Sequence, residues 1–133
     1  MKNTFPSVVI FLILISIHTL PAQETPALEW AKSFGVNSSY DIARTITTDA
    51  TGNVFSSGSF RNTIDFDPGG DVFNLTAIGF DNRGPYILKL DPDGNFLWAK
   101  TFTSTNDCST GAITTDASGN LYISGSFNGT VDF

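Results

Sequence analysis

Asp91-Pro92-Asp93-Gly94-Asn95 is the stretch whose side chains and spacing come nearest to metal chemistry. Asp91, Asp93 and Asn95 set oxygen ligands at alternate positions around a glycine, the way a calcium loop begins. A complete loop needs further ligands and a bidentate glutamate. Phe96, Leu97 and Trp98 follow at once, so the ligand set stops short and a hairpin turn is the better reading. Asp65, Asp67 and Asp71, around Pro68-Gly69-Gly70, form a second acidic cluster, read as a solvated loop. Asp49 and Asp116, each followed by a small residue and then Gly-Asn, fit turn formers whose carboxylates accept backbone N–H bonds. Glycoside hydrolysis needs two carboxylates facing each other across a cleft. Glu24 and Glu29 are the only glutamates and both lie near the N-terminus, while the aspartates recur with the turns. Cys108, in Ser104-Thr105-Asn106-Asp107-Cys108-Ser109, would need an activating base to act as a nucleophile, and it reads as an incidental thiol.

That base is missing. The single histidine, His18, sits behind Lys2 and the apolar run Val8 to Ile15, in a segment ordered like a secretory signal. Cleavage is expected after Ala22, which leaves Gln23 to Phe133 and no histidine, excluding Ser-His-Asp, Cys-His and His-ligated metal chemistry from the exported chain. The run is too short for a spanning helix, so no transmembrane segment is expected after cleavage. No catalytic, cofactor-binding or metal residue is assigned beyond the calcium candidates, and no enzymatic activity is expected. The 133 residues carry 13 acidic and 7 basic side chains, a net charge of −6 that argues against a nucleic-acid partner. An apolar fraction of 41% with 15% charged residues argues against disorder, and one cysteine cannot build a disulfide framework.

The elements that must position these residues repeat. Trp30-Ala31-Lys32-Ser33-Phe34 recurs as Trp98-Ala99-Lys100-Thr101-Phe102, 68 residues on. Ile46 to Asn53 recurs as Ile113 to Asn120, Ser57 to Phe60 as Ser124 to Phe127, and Thr63 to Phe66 as Thr130 to Phe133, each 67 residues on. Within a period, Ile42 to Asp49 and Val54 to Phe60 read as one hairpin, and Tyr86 to Asp91 and Phe96 to Phe102 as another, closed by turns rich in Gly and Asn. Two hairpins make four antiparallel strands. Strict alternation puts Phe96, Trp98 and Phe102 on one face, with Leu97 and Ala99 on the other. Apolar residues on both faces imply sheets stacked on neighbours. Arg61 to Gly84 is an insertion with short strands expected at Thr63 to Phe66 and Val72 to Leu75. The recurring aromatics Trp30, Phe34, Phe60, Phe66, Trp98, Phe102, Tyr122 and Phe127 are expected between sheets, whereas Tyr40, Phe73, Phe80 and Arg83 are candidates for a binding face. Asn37, Asn74 and Asn128 each fit the N-x-S/T pattern.

The succession W-A-K-x-F, D-A-x-G-N, S-G-S-F, T-I-D-F-D-P-G-G, F-N-L-T and K-L-D-P-D-G-N-F-L-W-A-K resembles the bacterial SBBP repeats, in a version similar to that of secreted Bacteroidetes-type proteins. The resemblance covers almost all of residues 23–133. It implies an all-β fold of antiparallel four-stranded β-propeller blades, on exported or cell-surface proteins, with no catalytic residues to carry over. The expected organisation is a signal at 1–22 and a partial propeller at 23–133, with a full blade at about 42–102 and a second repeat from about 113. Leu28 to Phe34 reads as the last strand of a preceding blade. Since a propeller closes with roughly 4–8 blades, the expectation is an N-terminal piece of a longer protein. The expected function is a secreted or cell-surface binding or scaffold module with a glycan or protein partner. The alternative is the propeller part of an extracellular carbohydrate-active enzyme whose catalytic residues lie outside this chain.

Overall fold

A computed structural model describes residues 27–35 and 40–133; the signal segment, its cleavage position, His18, Glu24 and Asn37 lie outside the described residues. Ten strands follow in order: β1 (Ile42–Thr48), β2 (Val54–Arg61), β3 (Thr63–Asp65), β4 (Asn74–Thr76), β5 (Arg83–Leu90), β6 (Phe96–Thr101), β7 (Thr103–Ser104), β8 (Cys108–Thr115), β9 (Leu121–Phe127) and β10 (Val131–Asp132). A 3-10 turn at Phe80–Asn82 precedes β5.

Three hairpins are closed by one device. In the β1–β2 turn the Asp49 amide donates to the Asn53 carbonyl (3.0 Å) and the Gly52 amide to the Asp49 carbonyl (3.0 Å). The same pair of bonds closes Asp91–Asn95 and Asp116–Asn120. Each aspartate also accepts from the asparagine amide four residues on, at 2.8–3.0 Å. The glycines at 52, 94 and 119 sit at φ of +84°, +79° and +81°, a region that costs side-chain-bearing residues dearly. These carboxylates are therefore the turn formers that Asp49 and Asp116 were expected to be, and Asp91 joins them.

β1, β2, β5 and β6 form one antiparallel four-stranded sheet in that order, the blade expected from the two hairpins. β8 and β9 start a second sheet, β3 pairs with β4 as a small hairpin in the insertion, and β7 pairs with β10. β3 and β4 lie close to the two short strands expected there, the second starting two residues later than Val72. Gly58 explains part of the repeated Ser-Gly-Ser-Phe motif. A Cβ there would stand 1.8 Å from the Ile42 carbonyl oxygen, and at Gly125 it would stand 2.3 Å from that of Ser109. Ser57 and Ser59 are fully buried on the same strand but satisfied, Ser57 by Thr45 (2.8 Å) and Ser59 by the Arg83 guanidinium (2.9 Å).

Two expectations about strands need correction. Leu97 falls at a break in the β5–β6 register, where Lys89 faces Trp98 and Leu90 faces Phe96. The extra residue inverts the alternation, so Phe96 lies with Ala99 on one face while Trp98 and Phe102 face the other way. Leu28 to Phe34 forms no strand; residues 27–35 have no ladder pairing among the described residues. Trp30 is held by its indole N–H on the Pro92 carbonyl (2.8 Å), and its ring lies against Gly94.

The sheet is covered on both faces. Phe60, Ile64, Phe66, Ala77, Tyr86, Leu88, Leu90 and Ala99 form one core, packed against Trp30 and Phe34 of the N-terminal segment. Phe55, Ile87 and Ile113 form the other, joined by Trp98, Phe102 and Leu121. The sequence repeat is thus a repeat of contacts. Phe34 meets Phe66 at 5.6 Å between ring centroids, and their counterparts Phe102 and Phe133 also meet at 5.6 Å. Phe60 and Phe66 stand edge-to-face at 5.1 Å, as Phe127 and Phe133 do at 6.2 Å. Two threonines of β8 stitch the sheets together, Thr110 Oγ1 donating to the Gly58 carbonyl (3.2 Å) and Thr115 Oγ1 to the Thr48 carbonyl (2.9 Å). Tyr122 and Phe127, expected between sheets, are both more than half exposed. Among the described residues, Tyr122 points to the far face of β9, which no sheet covers, while Phe127 faces Phe133 on the other side without a counterpart of Tyr86 to bury it. Ile46 is exposed at the opposite end of the stack, whereas its counterpart Ile113 is buried.

Candidate functional site

The site begins with an irregularity in β1. Ala43 faces Gly58 and Thr45 faces Ser57, so Arg44 is an extra residue without a partner on β2. β8 breaks at the same place, between Thr110 opposite Gly125 and Ile113 opposite Ile123. A bulge of this kind bends the strand and re-aims its side chain. In β8 the position equivalent to Arg44 is Gly111. The backbone deviation belongs to the repeat, and the arginine only to the first copy.

Arg44 lines a crevice of about 450 Å³ between the first blade and the β8–β9 hairpin, at the end where the insertion leaves and re-enters the sheet. Arg83, Asp107, Cys108, Ser126 and Asn128 line it too, and Phe127 supplies an apolar wall. Arg83 is braced by its bond to Ser59. The third arginine of the chain, Arg61, faces Arg83 in register and is neutralised by Asp81. Arg44 has no ion pair among the described residues, and Asp107 makes none with either arginine. Asn62, Asp81 and Asn82 sit at positive φ (60°, 58° and 51°) where the insertion joins the sheet, and the Asn62 amide donates to the Asn82 carbonyl (2.9 Å). Asn and Asp tolerate that region better than other side chains.

The opposite end of the blade is occupied by the turns. Asp91 accepts from the amides of Asp93 (2.9 Å) and Asn95 (2.8 Å) and from the Asn95 side chain (2.9 Å), so the three calcium candidates come together as a hydrogen-bonded turn. These bonds hold the carboxyls of Asp49, Asp91 and Asp116 below the usual carboxylate range, the asparagine side chain of each turn being the largest cause. Asp65 and Asp67 serve turns as well, Asp65 accepting from Asp67 (3.0 Å) and Phe73 (2.8 Å), and Asp67 from Gly69 (2.7 Å). Among the described residues no three His, Cys, Asp or Glu side chains are placed to hold a metal ion. Burial pushes the Cys108 thiol up, which lowers its thiolate fraction at neutral pH.

The binding-face candidates do not converge. Arg83 lines the crevice. Phe80 lines a separate shallow hollow with Ile78 and Thr103, Tyr40 projects into solvent, and Phe73 packs at a tilt against Phe96 with ring centroids 4.8 Å apart. Sequence reasoning missed Arg44, although its signal was present as the position where the repeat substitutes glycine. A second, apolar cleft of about 360 Å³ lies beside Phe102, Leu121 and Phe133. In the first blade the corresponding space is filled by Tyr86 of β5, which packs on Phe34 and Phe66, so this cleft belongs to blade packing.

One antiparallel four-stranded sheet packed against a second antiparallel hairpin that repeats its first two strands is the arrangement of partial blades in a propeller-type repeat protein. The chain is 30% identical over 115 residues to an uncharacterized WD repeat-containing protein of Acanthamoeba polyphaga mimivirus, a match that covers 76% of this chain and 8% of that protein. No protein-family model matches the chain, and no solved structure does. Among the described residues no helix is long and apolar enough to cross a membrane.

Proposed function

We propose that this chain is a non-catalytic interaction module of the propeller type, exported after loss of residues 1–22, which binds a protein partner at the insertion-bearing end of its blades. One observation carries the reading: at that end the two repeats leave an open crevice with an unneutralised arginine, whereas at the other end the polar groups are consumed by three hydrogen-bonded turns. The WD repeat-containing relative supports a repeat module that works through contact surfaces. The resemblance to SBBP repeats supports a secreted or cell-surface setting.

Panning a displayed random peptide library on the immobilised chain, alongside a glycan array, tests the reading. Enrichment of peptides is expected; binding confined to glycans, or no binding on either, contradicts it. For export, the chain made with its first 22 residues in a bacterial host is expected outside the cytoplasm with Gln23 as its first residue; an uncleaved cytoplasmic product contradicts it.

A further inference from the structure

We infer that the crevice between Arg44 and Arg83 receives an aspartate or glutamate side chain of a protein partner. The inference rests on the reading of the chain as a protein-interaction module and names the chemistry that would be recognised. Four observations carry it. The bulge that aims Arg44 is built twice, but the second copy carries Gly111, so the fold does not need the guanidinium. Arg44 has no ion pair among the described residues, in a chain where acidic residues outnumber basic ones by 13 to 7. Arg83, across the crevice, is already braced by Ser59, so little side-chain freedom remains to be lost when it meets a ligand. Arg61, beside it, has its own aspartate and is not free to compete.

The size and charge of the crevice select among anions. Two guanidinium groups offer planar forks that match a carboxylate bidentately. With Asp107 in the same lining, the local charge is that of two cations against one anion. That suits a single carboxylate and disfavours a densely charged polyanion such as a sulfated glycan. Asp107 would instead accept an N–H bond from the backbone flanking the bound side chain, and Phe127 would pack against its methylenes. A volume of about 450 Å³ accommodates one side chain with its adjoining backbone.

The library selection on the full chain supplies the probe. Peptides enriched by the native chain are expected to share an Asp or Glu at one fixed position. One such peptide, synthesised with a fluorophore, is then measured by anisotropy against the native chain, Arg44→Gly and Arg44→Gln. Replacing its acid by the amide, or making either substitution, is expected to weaken binding about tenfold or more, with the amide peptide insensitive to Arg44→Gly. Because the second repeat already holds glycine at this position, Arg44→Gly is expected to keep its thermal midpoint within about 4 °C of the native chain. Enriched peptides with no fixed acid, or binding unchanged by Arg44→Gly, overturn the carboxylate inference while leaving the interaction module standing. A heparin oligosaccharide that binds more tightly than the peptide and loses that binding in Arg44→Gly overturns it as well, by making the crevice a polyanion site. Failure to enrich any peptide overturns both readings.

Discussion

Phe66 and Phe133 are the same residue of the repeat in different surroundings, and replacing each by alanine isolates what a neighbouring sheet contributes. Phe66 is 0% exposed and meets Phe60, Tyr86 and Phe34 at centroid distances of 5.1, 5.1 and 5.6 Å. Phe133 keeps two of the three corresponding partners, Phe102 and Phe127, but is 85% exposed because nothing equivalent to β5 lies over it among the described residues. Truncating a fully buried phenylalanine costs about 3–5 kcal/mol in transfer and cavity terms, whereas a largely exposed one costs under about 0.5 kcal/mol. For a domain of this size, roughly 4–8 °C of midpoint accompanies each kcal/mol. Phe66→Ala is therefore expected to lower the thermal midpoint by at least about 12 °C, and Phe133→Ala by less than about 4 °C. Thermal unfolding followed by circular dichroism, with a urea titration of each variant, reads both values. Equal losses in the two variants, or a larger loss at Phe133, would refute the claim that β5, which completes the sheet over Phe66, supplies the stabilisation.

Three further outcomes follow from the geometry. Gly58→Ala forces a Cβ to within 1.8 Å of the Ile42 carbonyl and is expected to cost more than about 2 kcal/mol by urea unfolding, while Gly70→Ala, with nothing within 4 Å, is expected to be neutral. The lowered carboxyls of Asp49, Asp91 and Asp116 mean that the unfolded chain takes up their protons first as pH falls. Their stabilisation is thus fully present above about pH 4 and is lost as pH falls toward the folded-state values. Asp116→Asn should make this acid limb of the stability curve shallower, and an unchanged limb would count against the turn. Calcium or EDTA is expected to leave the midpoint where it is, since Asp91 spends its carboxylate on the turn; a rise with calcium would restore Asp91, Asp93 and Asn95 as ligands.

The sheet was legible because its determinants are local. The strand-forming runs Ile42 to Asp49 and Val54 to Phe60, the Asp-x-x-Gly-Asn turns and the repeat each act within a few residues or recur at a fixed spacing, so the hairpins and their order could be read directly. Register was harder: nothing in the order Phe96-Leu97-Trp98 announces that Leu97 is an extra residue, because a bulge is decided by packing on both faces of β6. Strand formation at Leu28 to Phe34 depends on a partner strand, which sequence similarity to β6 cannot supply; Trp30 and Phe34 nevertheless contact the sheet much as Trp98 and Phe102 contact β8 and β9. Of the site, Arg83 was legible as a charged residue at the margin of the insertion. Arg44 was not, since a strand residue with polar neighbours reads as solvent-facing until the bulge turns it into the crevice.

The crevice exists only if the two repeats stack, and that contact can be measured directly. Nuclear Overhauser effects between the Phe55 ring and the Ile113 methyls report the packing of the first blade against the β8–β9 hairpin. The account predicts that they appear alongside those between the paired residues Thr114 and Tyr122 within the hairpin. A spectrum in which the hairpin pairs are present and the contact between Phe55 and Ile113 is missing would contradict it.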